Sequence, residues 1–575
     1  MEILPIEPDR SSPVDQLVEP NEASNVNAPV PDAGWTRRSV LKGLALAAGG
    51  AFAPALWTRQ VRAATDNLVV ESAAGKLRGM SIDGVHVYKG VRYGATTAGA
   101  NRFMPPGPVA PWAGIQDATG FGNSAPQDAE SLGAIANWYT KIQPISEDCL
   151  FLNIFAPGHD KSRARRPVMV WLHGGGWASC AGTAPGFDGT NLARDGDVVV
   201  VTVNHRLNLF GYLYLGDKDA RFADAGNAGM LDLVASLKWV RDNIAAFGGD
   251  PNNVTIFGQS GGAAKVAALM GMPAAQGLFH KAVVESCSGG LRLEGQQEAE
   301  QQAHVLASRL GLQGLDGATL QAMPMEQLLD AMKAVKDPFR PVLDGRSFRQ
   351  NPFDPSASTL AASVPLLIGN AATETTLYLA INPRNLSLDS AEVHKRVARL
   401  LKIDDAQTTG MIDVYRASLT EPSPSDVLAA ISTDYVFRRN TLHLAALQSK
   451  QAPVYTYVFD WKTPVMGGLL HSPHTVEVPF VFGTTKAASG LLGNGPEIPE
   501  LSRTVMGAWV AFAKTGNPNT SRLPHWPKYD VDTRSAMMLD TESHVARDPG
   551  SEARRTIDGL PPYEYNVDRG SMLHA

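Results

Sequence analysis

From residue 67 onward, short unbroken apolar runs alternate with longer stretches whose apolar positions recur at helical spacing, and Gly and Pro punctuate the joins. "PVMVWLHGGG" (Pro167 to Gly176) and "DVVVVTVNHR" (Asp197 to Arg206) are unbroken apolar runs that end in glycine-rich or polar loops. Strands covered on both faces read this way, because neither face carries a polar alternate. "AGMLDLVASLKWVRDNIAAF" (Ala228 to Phe247) has the helical period, and "GGDPNN" after it reads as a stop and turn. "VTIF" predicts a short strand and "GGAAKVAALMGM" the start of the next helix. "KAVVESCSG", "VPLLIGNAA" and "PVYTYVFDW" predict three more buried strands, and "NLVVESAAGKLRGM" with "VHVYKGVRYG" an antiparallel opening. Such strand–helix alternation predicts an α/β fold on a mostly parallel sheet. Residues around 291–340 and 383–450 read as helical insertions over the sheet's carboxyl edge, where open α/β sheets bind ligands.

Composition narrows the function. At 575 residues the chain exceeds a usual single core, so insertions or a second domain are needed. The 44% hydrophobic and 19% charged content is that of a soluble globular protein. With a formal charge of −6 and only one short basic run, "KSRARR" (residues 161–166), the chain lacks the basic face that nucleic-acid binding requires. Cys149, Cys180 and Cys287 are too few for a disulfide framework and show no metal-ligand spacing, so they read as buried thiols.

The amino terminus carries an address. Residues 1–34 lack apolar periodicity and are expected to be disordered. "TRRSVLKG" (Thr36 to Gly43) resembles a twin-arginine signal, and the apolar run to Leu56 is too short to span a bilayer comfortably. An internal amphipathic helix is the other reading, but the run is apolar all round. Residues 35–63 are thus read as an export signal that engages the twin-arginine machinery, with cleavage after Ala63. The expectation is a periplasmic or secreted protein, released or retained at the membrane, with residues 64–575 as one domain.

Ser260 stands in "GQSGG" (Gly258 to Gly262), between "VTIF" and a helix. A sharp strand-to-helix turn brings backbones close, so small residues two before and two after the serine are required. The turn lifts the hydroxyl to a helix amino terminus, where negative charge is stabilised. A nucleophilic serine also needs donors for the oxyanion it creates, and the glycines of "WLHGGGW" (Trp171 to Trp177) can turn backbone N–H groups inward.

"SEDCLFLNIFAP" (Ser146 to Pro157), "HGGGW" and "FGGDPNNVTIFGQSGG" (Phe247 to Gly262) occur in order with "FRPVLDG", "HTVEVPFVFG" and "FAKTGNPN…WPKY". Together these motifs resemble the type-B carboxylesterase family, the branch of the α/β-hydrolases that includes the cholinesterases. The resemblance covers nearly all of the mature chain. It implies an α/β-hydrolase fold and a serine esterase with Ser260 as nucleophile, His474 as base and Glu374 as acid. The oxyanion donors it implies are the N–H groups of Gly175, Gly176 and Gly261. His471 is expected to be a rim residue. Substrate-pocket candidates are Gln259, Trp138, Tyr139 and Trp177, with core packing as the first reading of Trp138 and Tyr139. Neither metal nor organic cofactor is implied.

Several positions depart from the family pattern. Gln259 stands where a glutamate is common, which removes a negative charge beside the histidine. Gly261 replaces an alanine, a change that costs a methyl and leaves the donor. Thr373 and Thr375 flank Glu374 in place of Asp and Gly. Ala125 replaces the usual partner of Cys149, leaving the loop from Pro126 to Ser146 unstapled. The expected activity is hydrolysis of a small-molecule carboxylic ester through an acyl-enzyme. The same mechanism on carbamates, amides or thioesters, and a catalytically silent binding protein, remain alternatives.

Overall fold

In the computed structural model, residues 68–128, 135–158, 165–216, 219–289, 292–336, 339–561 and 563 are described. The amino-terminal extension, the export signal and part of "KSRARR" lie outside them. The chain divides after Ala64, and every element below belongs to the unit Thr65–Ala575.

The strands are β1 (Val69–Ser72), β2 (Gly75–Arg78), β3 (Met80–Ile82), β4 (Val85–Arg92), β5 (Ile115–Asp117), β6 (Phe151–Pro157) and β7 (Arg166–Leu172). They continue as β8 (Val199–Val203), β9 (Gly249–Gln259), β10 (Lys281–Glu285), β11 (Leu366–Ala371), β12 (Val454–Phe459), β13 (Ser535–Leu539) and β14 (His544–Arg547). Strands β1, β2 and β5 make a small sheet. The other eleven form one large sheet in the order β14-β13-β12-β11-β10-β9-β7-β8-β6-β4-β3. From β8 to β13 every neighbouring pair is parallel. Both flanks are antiparallel, β13–β14 at one end and β8–β6–β4–β3 at the other.

The unbroken apolar runs are explained by two cores. On β7, Val168, Val170 and Leu172 join a cluster with Leu233, Leu237 and Val240 of the helix Ala228–Asn243. The alternate residues Met169 and Trp171 face the other side, with Trp509 and Phe512 of the helix Ile498–Thr515. A period of two thus places apolar residues on both faces.

One local expectation is corrected. "GGDPNN" is not only a stop and turn: β9 begins at Gly249. The helix ends in a 3₁₀ turn (Ile244–Phe247), and Gly248 reverses the chain at φ 81°. Arg166 N–H then donates to Gly248 O, and a register shift between Arg166/Gly249 and Val168/Val254 absorbs the extra residues. The early pairing with β7 holds as strand what composition alone reads as loop.

Helices Gln296–Arg309, Gly317–Ala322 and Met325–Met332 occupy the first insertion. The second carries Ser390–Leu401, Asp405–Ser418, Pro424–Thr433 and Arg439–Gln448, with a π-helical segment Asp434–Arg438 between the last two.

The loop after β8 is tied to the helix Ala228–Asn243 by a buried ion pair. Arg206 donates from Nε and Nη2 to the two Asp232 oxygens (2.8 and 2.6 Å), and from Nη1 to Met104 O (2.7 Å). Its backbone N–H also reaches Asp232, and both side chains are almost fully buried. Removing one partner strands the other charge in a low-dielectric interior. Asp232→Ala is therefore expected to destabilise the fold by about 3–5 kcal/mol, read as a lower urea midpoint at unchanged slope. A loss under about 1 kcal/mol would refute this role for the pair.

Candidate active site

Strand β9 ends at Gln259, and the helix Gly261–Met270 starts one residue past Ser260. Ser260 sits at φ 58°, ψ −123°, a conformation that costs a residue with a side chain and persists only when its surroundings enforce it. They do so by contact. A Cβ on Gly258 would lie 2.6 Å from the Gly262 carbonyl carbon, and one on Gly262 would lie 1.9 Å from Leu172 O. The small residues expected two before and two after the serine are thus sterically obligatory. Ser260 N–H donates to Glu285 O (2.9 Å), while its hydroxyl has no hydrogen-bond partner among the described residues.

His474 and Glu374 meet on the loops after β12 and β11. His474 Nδ1 hydrogen-bonds Glu374 Oε2, and His474 N–H donates to Glu374 O (3.2 Å). The other carboxylate oxygen accepts from Ala371 N–H (2.7 Å). With Nδ1 engaged, Nε2 is the ring atom left to exchange a proton. The imidazole packs against the rings of Phe437 and Tyr378, at centroid distances of 5.0 and 5.3 Å. Phe437 comes from the π-helical segment, so the second insertion supplies one wall of the site.

The two threonines beside Glu374 have definite tasks. Thr373 N–H donates to Ser472 O and its hydroxyl accepts from Ser472 N–H, which ties the Glu374 loop to the His474 loop. Thr375 Oγ1 hydrogen-bonds Ala429 O and Ser432 Oγ of the helix Pro424–Thr433. His471 is held elsewhere, by Asp426 Oδ1 at 2.9 Å, and that pairing lowers the Asp426 carboxyl to about 2.

Gln259 is fully buried against His474. Its Nε2 lies 3.3 Å from Nδ1 and 3.2 Å from Nε2, and an atom equidistant from both lies along neither lone pair. Tyr139 Oη donates to Gln259 Oε1 at 2.8 Å and so orients the amide. Tyr139 is thereby a contact of the site as well as a core residue, packed edge-on to Trp138 and Phe187. Trp138 is buried against the Gly186 backbone, as its packing reading requires.

Two more carboxyls are buried near the site, Glu477 of the "HTVEVPFVFG" motif and Glu285, and sequence reasoning overlooked Glu285. Glu285 accepts from Trp509 Nε1 (2.7 Å) and Glu477 from Ser286 Oγ (3.1 Å). Burial pushes Glu285 up to about 8. It pushes Glu477 well above the carboxylate range, with the charges of Glu374 and Glu285 adding to the effect. A visible signal was a glutamate closing the buried run "KAVVE".

The N–H groups of Gly175, Gly176 and Gly261 have no acceptor among the described residues. Gly175 and Gly176 take φ 81° and 61°, backbone suited to glycine. The expectation that Gly261 merely loses a methyl needs correction: a Cβ there would lie 2.2 Å from Gly176 O and 2.5 Å from Gly176 N. Gly176 occupies the space an alanine methyl would take. Beside these glycines is a void of 20 Å³ whose lining includes Trp177 and Ala264, room for about one oxygen-sized group. Five more of its lining residues, Ser288, Gly289, Arg292, Leu293 and Arg340, also border a cavity of 1120 Å³ that extends under the second insertion to Arg439 and His443. All three cysteines are buried and unpaired with one another.

Comparison with known proteins adds the last observation. Residues 66–556 match the model of the carboxylesterase family. Para-nitrobenzyl esterase of Bacillus subtilis (strain 168) is 37% identical over 502 residues, covering 85% of this chain and 98% of that protein. Phenmedipham hydrolase of Pseudarthrobacter oxydans is 32% identical over 497 residues, covering 84% and 97%. Among solved structures, a Geobacillus stearothermophilus carboxylesterase superposes with a TM-score of 0.75 at 37% identity, over 85% of this chain and 100% of that one. The chain belongs to the carboxylesterase family: it has the α/β-hydrolase fold and hydrolyses carboxylic esters.

Proposed function

We propose that Ser260 is the nucleophile of this ester hydrolysis, His474 its general base and Glu374 the carboxylate that orients the imidazole. The observation that carries the assignment is the His474 Nδ1–Glu374 pair, which leaves Nε2 as the proton carrier near a serine on a strained strand-to-helix turn. Ser260 attacks the ester carbonyl, and its proton passes to His474 Nε2. Developing charge on the carbonyl oxygen meets the N–H groups of Gly175, Gly176 and Gly261. Collapse of the tetrahedral species expels the alcohol, which takes the proton from His474. Water, deprotonated by the same imidazole, then hydrolyses the acyl-enzyme. No Ser260–His474 hydrogen bond is made among the described residues, and one is expected to form when substrate binds.

The large cavity, which shares Ser288, Gly289, Arg292, Leu293 and Arg340 with the small void at Gly176 and Gly261, exceeds the volume that a drug-sized ligand fills, so an extended acyl or alcohol arm fits there. The twin-arginine motif and the apolar run after it support export to the periplasm or beyond.

Ser260→Ala is expected to lower kcat by about 10⁴-fold or more and to abolish the mass adduct left by an organophosphate. Wild type should turn over matched esters faster than the corresponding thioesters, amides or carbamates. An organophosphate adduct that persists in the variant, or a wild type that forms none, would overturn the assignment. Gln259→Glu places a carboxylate against His474, favours the imidazolium and so raises the pH at which the base is lost. The acidic limb of kcat/KM should move up by about one unit, with faster turnover of cationic esters; an unmoved limb removes Gln259 from the charge balance. Replacing Arg37 and Arg38 together by lysine is expected to retain the protein in the cytoplasm of a twin-arginine-competent host. Unaltered export, measured by fractionation, would refute the signal.

A further inference from the structure

The helix that begins at the elbow, Gly261–Met270, is apolar except for one residue. Lys265 is completely buried, and no carboxylate pairs with it among the described residues. Its ammonium donates instead to two backbone carbonyls, His173 O and Gly176 O, both at 2.9 Å. Those carbonyls bracket the loop that carries Gly174, Gly175 and Gly176. Trp177, the next residue, presents its ring 5.6 Å from Nζ. The loop also rests on Tyr139, whose hydroxyl occupies the place of a Cβ on Gly174, and on Gly261, whose missing Cβ admits Gly176.

We propose that Lys265 is a positioning residue that holds the glycine loop over the elbow and lends it the positive charge that favours an oxyanion at Gly175, Gly176 and Gly261. This rests on the assignment of those N–H groups made above. The lysine is costly where it stands, because an ammonium loses its hydration on burial and two neutral carbonyls replace only part of it. A methionine would fill the same space in an apolar helix at no such expense. A local rule broken at this point, one turn past the proposed nucleophile, marks a functional position. The other ionisable groups that face it do not supply the charge. His173 and His205 stack 5.0 Å apart on the ends of β7 and β8, and burial keeps both well below the ordinary histidine range. Arg206 beyond them is matched by Asp232. The Cys180 thiol, the remaining group, interacts with Lys265 to favour its protonated form. Burial lowers Lys265 itself to about 7, so its charge is present below that pH and lost above it. The two hydrogen bonds survive in the neutral amine, which still has two N–H groups.

The test uses a trifluoromethyl ketone, which forms a hemiketal oxyanion on Ser260, and the matching methyl ketone, which reads ground-state fit. In Lys265→Met and Lys265→Gln, kcat per site counted by organophosphate mass labelling should fall by about ten- to a hundredfold, with KM within about threefold. Trifluoromethyl ketone affinity should fall by the same factor and methyl ketone affinity should hold. Unchanged kcat and trifluoromethyl ketone affinity would overturn the proposal, and so would equal losses for both ketones, which indicate a disturbed loop. If neither variant folds, the wild-type enzyme decides. Hemiketal formation moves the Ser260 proton onto the enzyme's own base and takes none from solution, so the addition by itself leaves affinity flat at alkaline pH. Trifluoromethyl ketone affinity should instead weaken by about tenfold or more from pH 7 to 9, and a flat profile refutes the lysine's charge. A wild type that forms no adduct would count against Ser260, whereas adducts indifferent to Lys265 count against the lysine alone.

Discussion

Everything at the site depends on how closely three pieces of backbone approach one another. The end of β7, the end of β9 and the first turn of the following helix lie so near that no side chain fits between them at Gly258, Gly261 or Gly262. That crowding keeps Ser260 at φ 58° and leaves its hydroxyl projecting from the turn. It also sets the glycine loop against the helix start, so Gly176 and Gly261, from two distant stretches of sequence, line one small void. The strain in one residue is maintained by the two clusters that bury the parallel strands on both faces.

Charge is distributed around this centre with equal economy. Glu285, Glu374 and Glu477 are completely buried, yet only Glu374 meets the imidazole. Burial keeps Glu285 in the neutral form at moderate pH, and burial together with the proximity of like charges does the same for Glu477. Gln259 is the register partner of Glu285 on the neighbouring parallel strand. A glutamate at 259 would add a fourth carboxyl to this group, whereas the amide fills the place without charge and is fixed by Tyr139.

Much of this was legible in the chain. Unbroken apolar runs announce doubly covered strands, and Gly-x-Ser-x-Gly between a strand and a helix announces the elbow, since both follow from local sterics. The tasks of Thr373 and Thr375 were not legible, because their partners lie on the loop after β12 and on an insertion helix. The start of β9 was misread because pairing with Arg166 holds a turn-like composition as strand. Lys265 was visible as a cation in an apolar helix, but its two carbonyl acceptors belong to a loop some ninety residues upstream. Similarly, nothing in the polar-patterned second insertion marks Phe437 as the residue that meets His474.

Phe437 lies in the π-helical turn Asp434–Arg438, between the helices Pro424–Thr433 and Arg439–Gln448. A π turn accommodates one residue more than the α-helix around it, so the direction of each side chain beyond it depends on that extra residue. The wall against the imidazole is therefore encoded by chain length as much as by residue type. Deleting a single residue from this turn would rotate the aromatic ring away by roughly a quarter of a turn, a change that no substitution at position 437 reproduces. Relatives that differ here by one insertion or deletion would present a different face to the base while keeping every motif of the elbow intact.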